Sequence, residues 1–121
     1  MEENIMQLKI NGKDVEFKFG IRFLRELDKH YYMEKNDIKF GLGLDLSLTQ
    51  ILAGYPEYLA TYLYCANKAM KVKVTQDDID EYLESLDDLE PIFDEVIKEL
   101  SEGNATKSKV TAAQAALKQN E

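Results

Sequence analysis

The sequence predicts a mainly α protein of the α+β kind, with an N-terminal β-hairpin packed on a bundle of about five helices and a flexible C-terminal tail. Three observations predict it. Met6, Leu8 and Ile10 alternate with polar residues before Asn11-Gly12, and Val15, Phe17 and Phe19 do the same after it. From Ile21 to Leu100 most apolar residues recur three and four apart, the spacing of a helix face. From Asn104 onward Ala, Lys, Gln, Ser and Thr dominate and no aromatic residue occurs. A chain of 121 residues is enough for one domain. We assign that domain to residues 1–103 and the tail to 104–121.

Asn and Gly are the residues that best tolerate the positive φ of both central positions in a type I′ turn. A two-residue turn at Asn11-Gly12 sets Ile10 opposite Lys13, Leu8 opposite Val15 and Met6 opposite Phe17. The hairpin then spans residues 5–19. A two-stranded ribbon is not stable alone, so its apolar face must rest on helices.

Gly20 ends the strand, and a first helix is expected over about residues 21–33, with Phe23, Leu24, Leu27 and Tyr31 inward. Ile38, Phe40, Leu42, Leu44, Leu46 and Leu48 then occupy alternate positions, but Gly41 and Gly43 weaken a strand assignment. This stretch reads as an extended loop laying Phe40 and the leucines into the core, its glycines permitting close backbone approach. The alternative is an exposed, adaptable contact for another chain, carried by Phe40, Leu42 and Leu44. Ser47 and Gln50 have the spacing of a capping box, which predicts a short helix over 48–53.

Pro56 suits the first position of a helix over 56–70, with Leu59, Tyr62, Leu63, Ala66 and Met70 inward. Tyr55, Tyr58 and Tyr64 fall off that stripe, either as interface anchors or as half-buried rings with solvated hydroxyls. Thr75 caps a helix over 76–86, where Asp77 and Asp78 favour the positive end and Ile79, Leu83 and Leu86 turn inward. A last helix, over 89–101, accepts Pro91 in its first turn and stops at Gly103. Its inner stripe is Leu89, Phe93, Val96, Ile97 and Leu100. The alanine-rich tail has too little apolar surface to offset the entropy of ordering, so it is expected to be mobile or to order on a partner.

The net charge of −8 sits almost entirely in one segment. Residues 75–101 hold 11 acidic side chains against Lys98, whereas residues 1–74 hold 11 basic and 10 acidic ones. Such a balance argues against binding to nucleic acid, where affinity comes from neutralising phosphates. The segment is either a solvated face or a surface for a basic protein partner. No apolar run approaches the roughly 20 residues of a membrane span. The acidic Met1-Glu2-Glu3-Asn4 lacks the basic character of a secretory signal, so the chain is expected to stay where it is made.

No catalytic, cofactor or metal site is predicted. Cys65 stands alone within a helical pattern, as a small buried residue would. His30 has no nearby nucleophile or ligand set. An EF-hand at Asp77 fails because Ile79 and Tyr82 stand where an oxygen ligand and a glycine are required. Phosphate-cradling loops, paired CxxC motifs and HExxH are absent. What remains is Phe40, Leu42, Leu44, Tyr55 and Tyr58 as candidate partner-binding residues.

Five segments taken in order carry a family resemblance: Val15-Glu16-Phe17-Lys18-Phe19-Gly20, Phe23-Leu24-Arg25-Glu26-Leu27-Asp28, Phe40-Gly41-Leu42-Gly43-Leu44, Asp87-Asp88-Leu89-Glu90 and Ile92-Phe93-Asp94-Glu95-Val96-Ile97. Over about residues 5–101 the chain resembles the small tail assembly chaperones of long-tailed phages and prophages of Gram-positive bacteria. The resemblance implies an assembly factor of the bacterial host cytoplasm that is not retained in the mature virion. It implies binding to the helical tape measure protein, which the chaperone keeps from aggregating, and recruitment of tail tube subunits. Many such proteins also occur as a frameshifted longer form, which would join after Gly103. Self-association is a further expectation, since one small domain cannot cover a long client. The resemblance transfers no catalytic residues. Two other classes stay open on sequence: an acidic protein-binding adaptor and a DNA-mimic inhibitor. The latter would need carboxylates at phosphate-like spacing over a broad face, whereas here they are interleaved with a core stripe on two short helices.

Overall fold

The computed structural model describes residues 5–119; the acidic residues 1–4 and the last two residues of the tail lie outside them. Strands β1 (Ile5–Ile10) and β2 (Lys13–Lys18) form the antiparallel hairpin in the expected register, Met6 opposite Phe17 and Leu8 opposite Val15. Asn11 and Gly12 have φ of 54° and 75°, the left-handed values of a type I′ turn. Met6, Ile10, Val15 and Phe17 are all buried. The hairpin rests on helices α3 (Pro56–Asn67), α4 (Gln76–Glu84) and α5 (Glu90–Glu102).

Helix α3 is the centre of the molecule. Leu59, Ala60, Tyr62, Leu63, Cys65 and Ala66 are buried over much of its circumference, because α1 (Ile21–Asp28), α2 (Gly43–Leu52), α4 and β2 all pack on it. Phe23 meets both Phe19 and Tyr62 edge-on, at ring separations of 5.0 and 5.3 Å. Two polar residues are built into this core. Ser47 Oγ bonds to Gly43 O at 2.5 Å and lies 2.7 Å from Tyr62 Oη. Asn67 Nδ2 donates to Glu16 O and Val72 O, while its Oδ1 accepts from Val74 N.

Helices α3, α4 and α5 lie close to the expected spans, and Leu59, Tyr62, Leu63, Ala66, Ile79, Leu83, Phe93, Val96 and Leu100 are buried as expected. Met70 and Leu86 fall beyond the ends of α3 and α4 and are half-buried, and Ile92 is buried in addition. Thr75 caps α4 in a full capping box: its Oγ1 accepts from Asp78 N–H, and its own N–H donates to the Asp78 carboxylate. Those bonds hold the Asp78 carboxyl below the usual carboxylate range, first through the Thr75 backbone and then through its side chain. Asn11 Nδ2 also reaches Asp78 at 3.3 Å, tying the hairpin turn to α4. A carboxyl depressed in the folded state contributes stability above its unfolded pKa and loses it as pH falls through the lower folded value. Thermal melts of the wild type and Asp78→Asn are therefore expected to differ at pH 6 and to converge as the pH falls through the lowered folded value.

Three expectations are corrected. Helix α1 ends at Asp28 instead of continuing to about 33. The chain turns out through Lys29, His30 and Tyr31, whose N–H groups close on Glu26 and Leu27 carbonyls. It then forms a second antiparallel hairpin, β3 (Tyr32–Lys35) and β4 (Ile38–Gly41). Asn36 and Asp37 supply its turn with φ of 54° and 65°, a positive-φ pair without glycine.

Residues 38–48 are thus no core-lining loop. Helix α2 starts at Gly43 instead of 48, and Ser47 is a buried interior residue instead of a cap. Leu44, Leu48 and Ile51 are its buried stripe, a spacing that the alternation of leucines concealed. The expected tail carries helix α6 (Lys107–Gln119). Thr106, fully buried, bonds to Leu100 O, and Val110 enters the core beside α2 and α5, so two residues anchor what composition left free.

Candidate partner-binding face

The second hairpin is held at its base and free along its length. Asp28, at the end of α1, accepts a hydrogen bond from Gly43 N at 2.8 Å where β4 passes into α2. A Cβ at Gly43 would sit 2.8 Å from the Leu27 carbonyl carbon, and one at Gly41 would sit 2.7 Å from the Asp28 carboxyl. The two glycines allow the close approach that the sequence suggested, and they set where the hairpin leaves the body.

Pairing places Met33 opposite Phe40 and Lys35 opposite Ile38. With side chains alternating across a strand, Met33, Lys35, Ile38 and Phe40 share one face. Met33 is 55%, Ile38 57% and Phe40 48% exposed. The other face carries Tyr32, Glu34 and Lys39, with the Lys39 ammonium 4.9 Å from the Tyr32 ring centre. The first hairpin buries its apolar face on helices; the second, built with the same turn geometry, leaves its own in water. Isolated apolar side chains on a surface are ordinary, but three aligned on one face of a projecting ribbon make this the candidate contact surface.

Beside its base lies a tyrosine cluster. Tyr31 stacks on Tyr58 at 5.4 Å and 17°, and Tyr55 lies 6.3 Å from Tyr58. Burial pushes the Tyr31 hydroxyl above its ordinary pKa, partly offset by Thr61. His30 lies 6.4 Å from both Tyr31 and Tyr64. Of the five candidate residues, Phe40 and Tyr55 are exposed and Tyr58 is half-buried in the cluster. Leu42 is half-buried as the N-cap of α2. Leu44 is corrected: at 6% exposure it belongs to the core and to no surface. Tyr32, Met33 and Ile38 are exposed on the ribbon as well, and sequence alone does not single them out. Asn36-Asp37 between β-forming residues was the available signal.

The Cys65 thiol is buried and pushed up to about 12 by desolvation, which makes it a packing group. Tyr62 is raised by the same burial. Among the described residues no three His, Cys, Asp or Glu are grouped to hold a metal, and no helix is long and apolar enough to cross a membrane.

The fold is that of a small α+β body presenting an exposed apolar ribbon beside a tyrosine patch. The chain belongs to the phage tail assembly chaperone family: the family model described as "Phage tail assembly chaperone protein, TAC" matches residues 7–114. That match extends past the 5–101 region of sequence resemblance into α6. Neither a curated protein nor a solved structure gives a significant match.

Proposed function

We propose that this chaperone binds the phage tape measure protein, keeps it from aggregating and helps bring tail tube subunits to it. The observation carrying this reading is the uncovered Met33/Ile38/Phe40 face of the second hairpin, on a chain of the tail assembly chaperone family. A helix emerging from the ribosome with an apolar stripe needs temporary cover, and an apolar ribbon supplies it without directional bonds that would hinder release. Full burial of a side chain such as Ile38 or Phe40 is worth about 1.5–3 kcal/mol, so three of them suffice for a reversible contact. Tyr55 and Tyr58 extend the surface with rings that lose little entropy on binding. The protein acts in the bacterial host cytoplasm and leaves before the virion is complete.

Co-expression with the tape measure protein encoded in the same phage tests the proposal. The tape measure protein is expected to move from the pellet to the soluble fraction and to co-purify with this chain. Unchanged precipitation, with no co-purification, would refute the reading.

A further inference from the structure

The two hairpins share a turn geometry and a ladder pattern, but they differ at their outer edges. In a hairpin with a two-residue turn, the pair beside the turn is hydrogen-bonded and the next pair is not, and the alternation continues along the strands. In the first hairpin the backbone groups of Asp14 and Glu16 therefore point away from β1. Helix α3 packs on β2, and Asn67 Nδ2 donates to Glu16 O at 3.0 Å. In the second hairpin the same alternation turns the N–H and C=O groups of Lys39 and Gly41 outward from β4. Among the described residues these outward groups have no hydrogen-bond partner, and β3 and β4 pack chiefly on each other. A row of unpaired backbone groups is a template for another strand.

The surroundings of that edge define the strand that fits it. On one face, Ile38 and Phe40 flank Lys39 and stand in water. On the other, Tyr32, Lys39 and Gly41 form a cleft of about 460 Å³ with Asp28 and Lys29 at the end of α1. The Lys39 ammonium lies over the Tyr32 ring and, among the described residues, pairs with no carboxylate. Lys29 meets Glu26 at 3.0 Å and stays largely exposed. Asp28 gives one oxygen to Gly43 N–H, so two ammoniums face a single carboxylate in the cleft. A strand added beside β4 places every second side chain over this cleft and the intervening ones beside Ile38 and Phe40. Opposite Lys39 a carboxylate is favoured and an ammonium disfavoured.

We propose that the outer edge of β4 takes an extended segment of a partner protein as a third strand, with apolar and acidic residues alternating along it. Main-chain bonds to Lys39 and Gly41 give affinity, and the lysine cleft selects the acidic side chains. A second copy of β4 would bring another lysine to the same edge, which disfavours it as the occupant. The strand sits on the edge of the ribbon, apart from the client assigned to its face, and does not depend on that client.

Amide NMR of the isotope-labelled full chain, titrated with synthetic capped peptides, tests the proposal. The probe is Val-Glu-Val-Glu-Val-Glu-Val. One control carries Lys in place of Glu, and the other is the acidic peptide N-methylated at its glutamates, which removes the main-chain donors facing β4. The acidic peptide is expected to shift the Lys39 and Gly41 amides, and both controls are expected to bind about tenfold more weakly. Lys39→Glu, folded by circular dichroism, is expected to prefer the lysine peptide. No shift at Lys39 or Gly41 with millimolar peptide would overturn the proposal. So would equal binding of the N-methylated peptide, an unchanged preference in the variant, or shifts at Tyr32 and Glu34 in their place. Shifts at Lys39 and Gly41 that grow with protein concentration without peptide would put a second copy on the edge, and would overturn it too.

Discussion

Replacing Ile38 and Phe40 together by threonine is expected to abolish solubilisation of the tape measure protein while leaving the fold unchanged. Both side chains are about half exposed on the free face of β4 and contribute little to the core. Threonine is β-branched and, like isoleucine and phenylalanine, favours a strand, so the hairpin retains its propensity and its Asn36-Asp37 turn. Surface changes of this kind typically move stability by less than about 0.5 kcal/mol. The same change removes most of the apolar area offered to a client. Both are already about half buried, so binding can gain only about half of the 1.5–3 kcal/mol of full burial from each, and two losses weaken binding by roughly 10- to 100-fold. Urea denaturation checks the first half of the prediction, and pull-down with the co-expressed tape measure protein checks the second. A variant that folds normally and still keeps its client soluble would move the contact away from this hairpin.

Asn67→Ala is expected to be the most damaging single polar-to-apolar change, lowering stability by about 3–5 kcal/mol. Asn67 is 1% exposed and uses its amide to join three pieces of chain: the middle of β2 at Glu16, and the α3–α4 connection at Val72 and Val74. Alanine leaves two carbonyls and one N–H without this partner. An unsatisfied buried group costs about 1–3 kcal/mol, and because these three bonds are part-buried the low end of that range applies to each. Against a typical total of about 5–15 kcal/mol, that loss approaches unfolding. The urea midpoint should fall steeply while the slope of the transition stays constant. Asn67→Asp separates the roles: it keeps the acceptor for Val74 N but loses both donated bonds, so it should be no better tolerated.

Local chemistry made much of the molecule legible. Asn11-Gly12 admits both positive φ values, and the apolar alternation on either side agrees with only one register, so turn and pattern defined the first hairpin together. Thr75 with Asp78, and Pro56 and Pro91 in their first turns, marked where α3, α4 and α5 begin. The legible pieces are those where a backbone requirement and a burial pattern coincide.

Where the two conflicted, sequence reasoning went astray. Tyr31 continues the helical spacing of Leu27, yet the chain leaves the helix because the following residues pair with β4. Leu44 and Leu48 satisfy a period of two as well as of four, and only packing against α1 and α3 decides for a helix. Asn67 announces nothing in one dimension, since its partners lie up to 51 residues away. The candidate face was half visible for the same reason. Phe40 and Tyr55 stand where a partner could reach them, but Leu44 has the same composition around it and is buried.

By itself the sequence determined the N-terminal hairpin, the three later helices, the uneven charge and a likeness to tail assembly chaperones. Those depend on backbone propensity, side-chain period and residue type, which act between near neighbours. Tertiary structure alone decided which apolar residues stay in water, which strand edge is left uncovered, and that α6 is anchored through Thr106 and Val110. Exposure is a property of what packs alongside, and a chain cannot declare which of two similar apolar faces its own helices will reach.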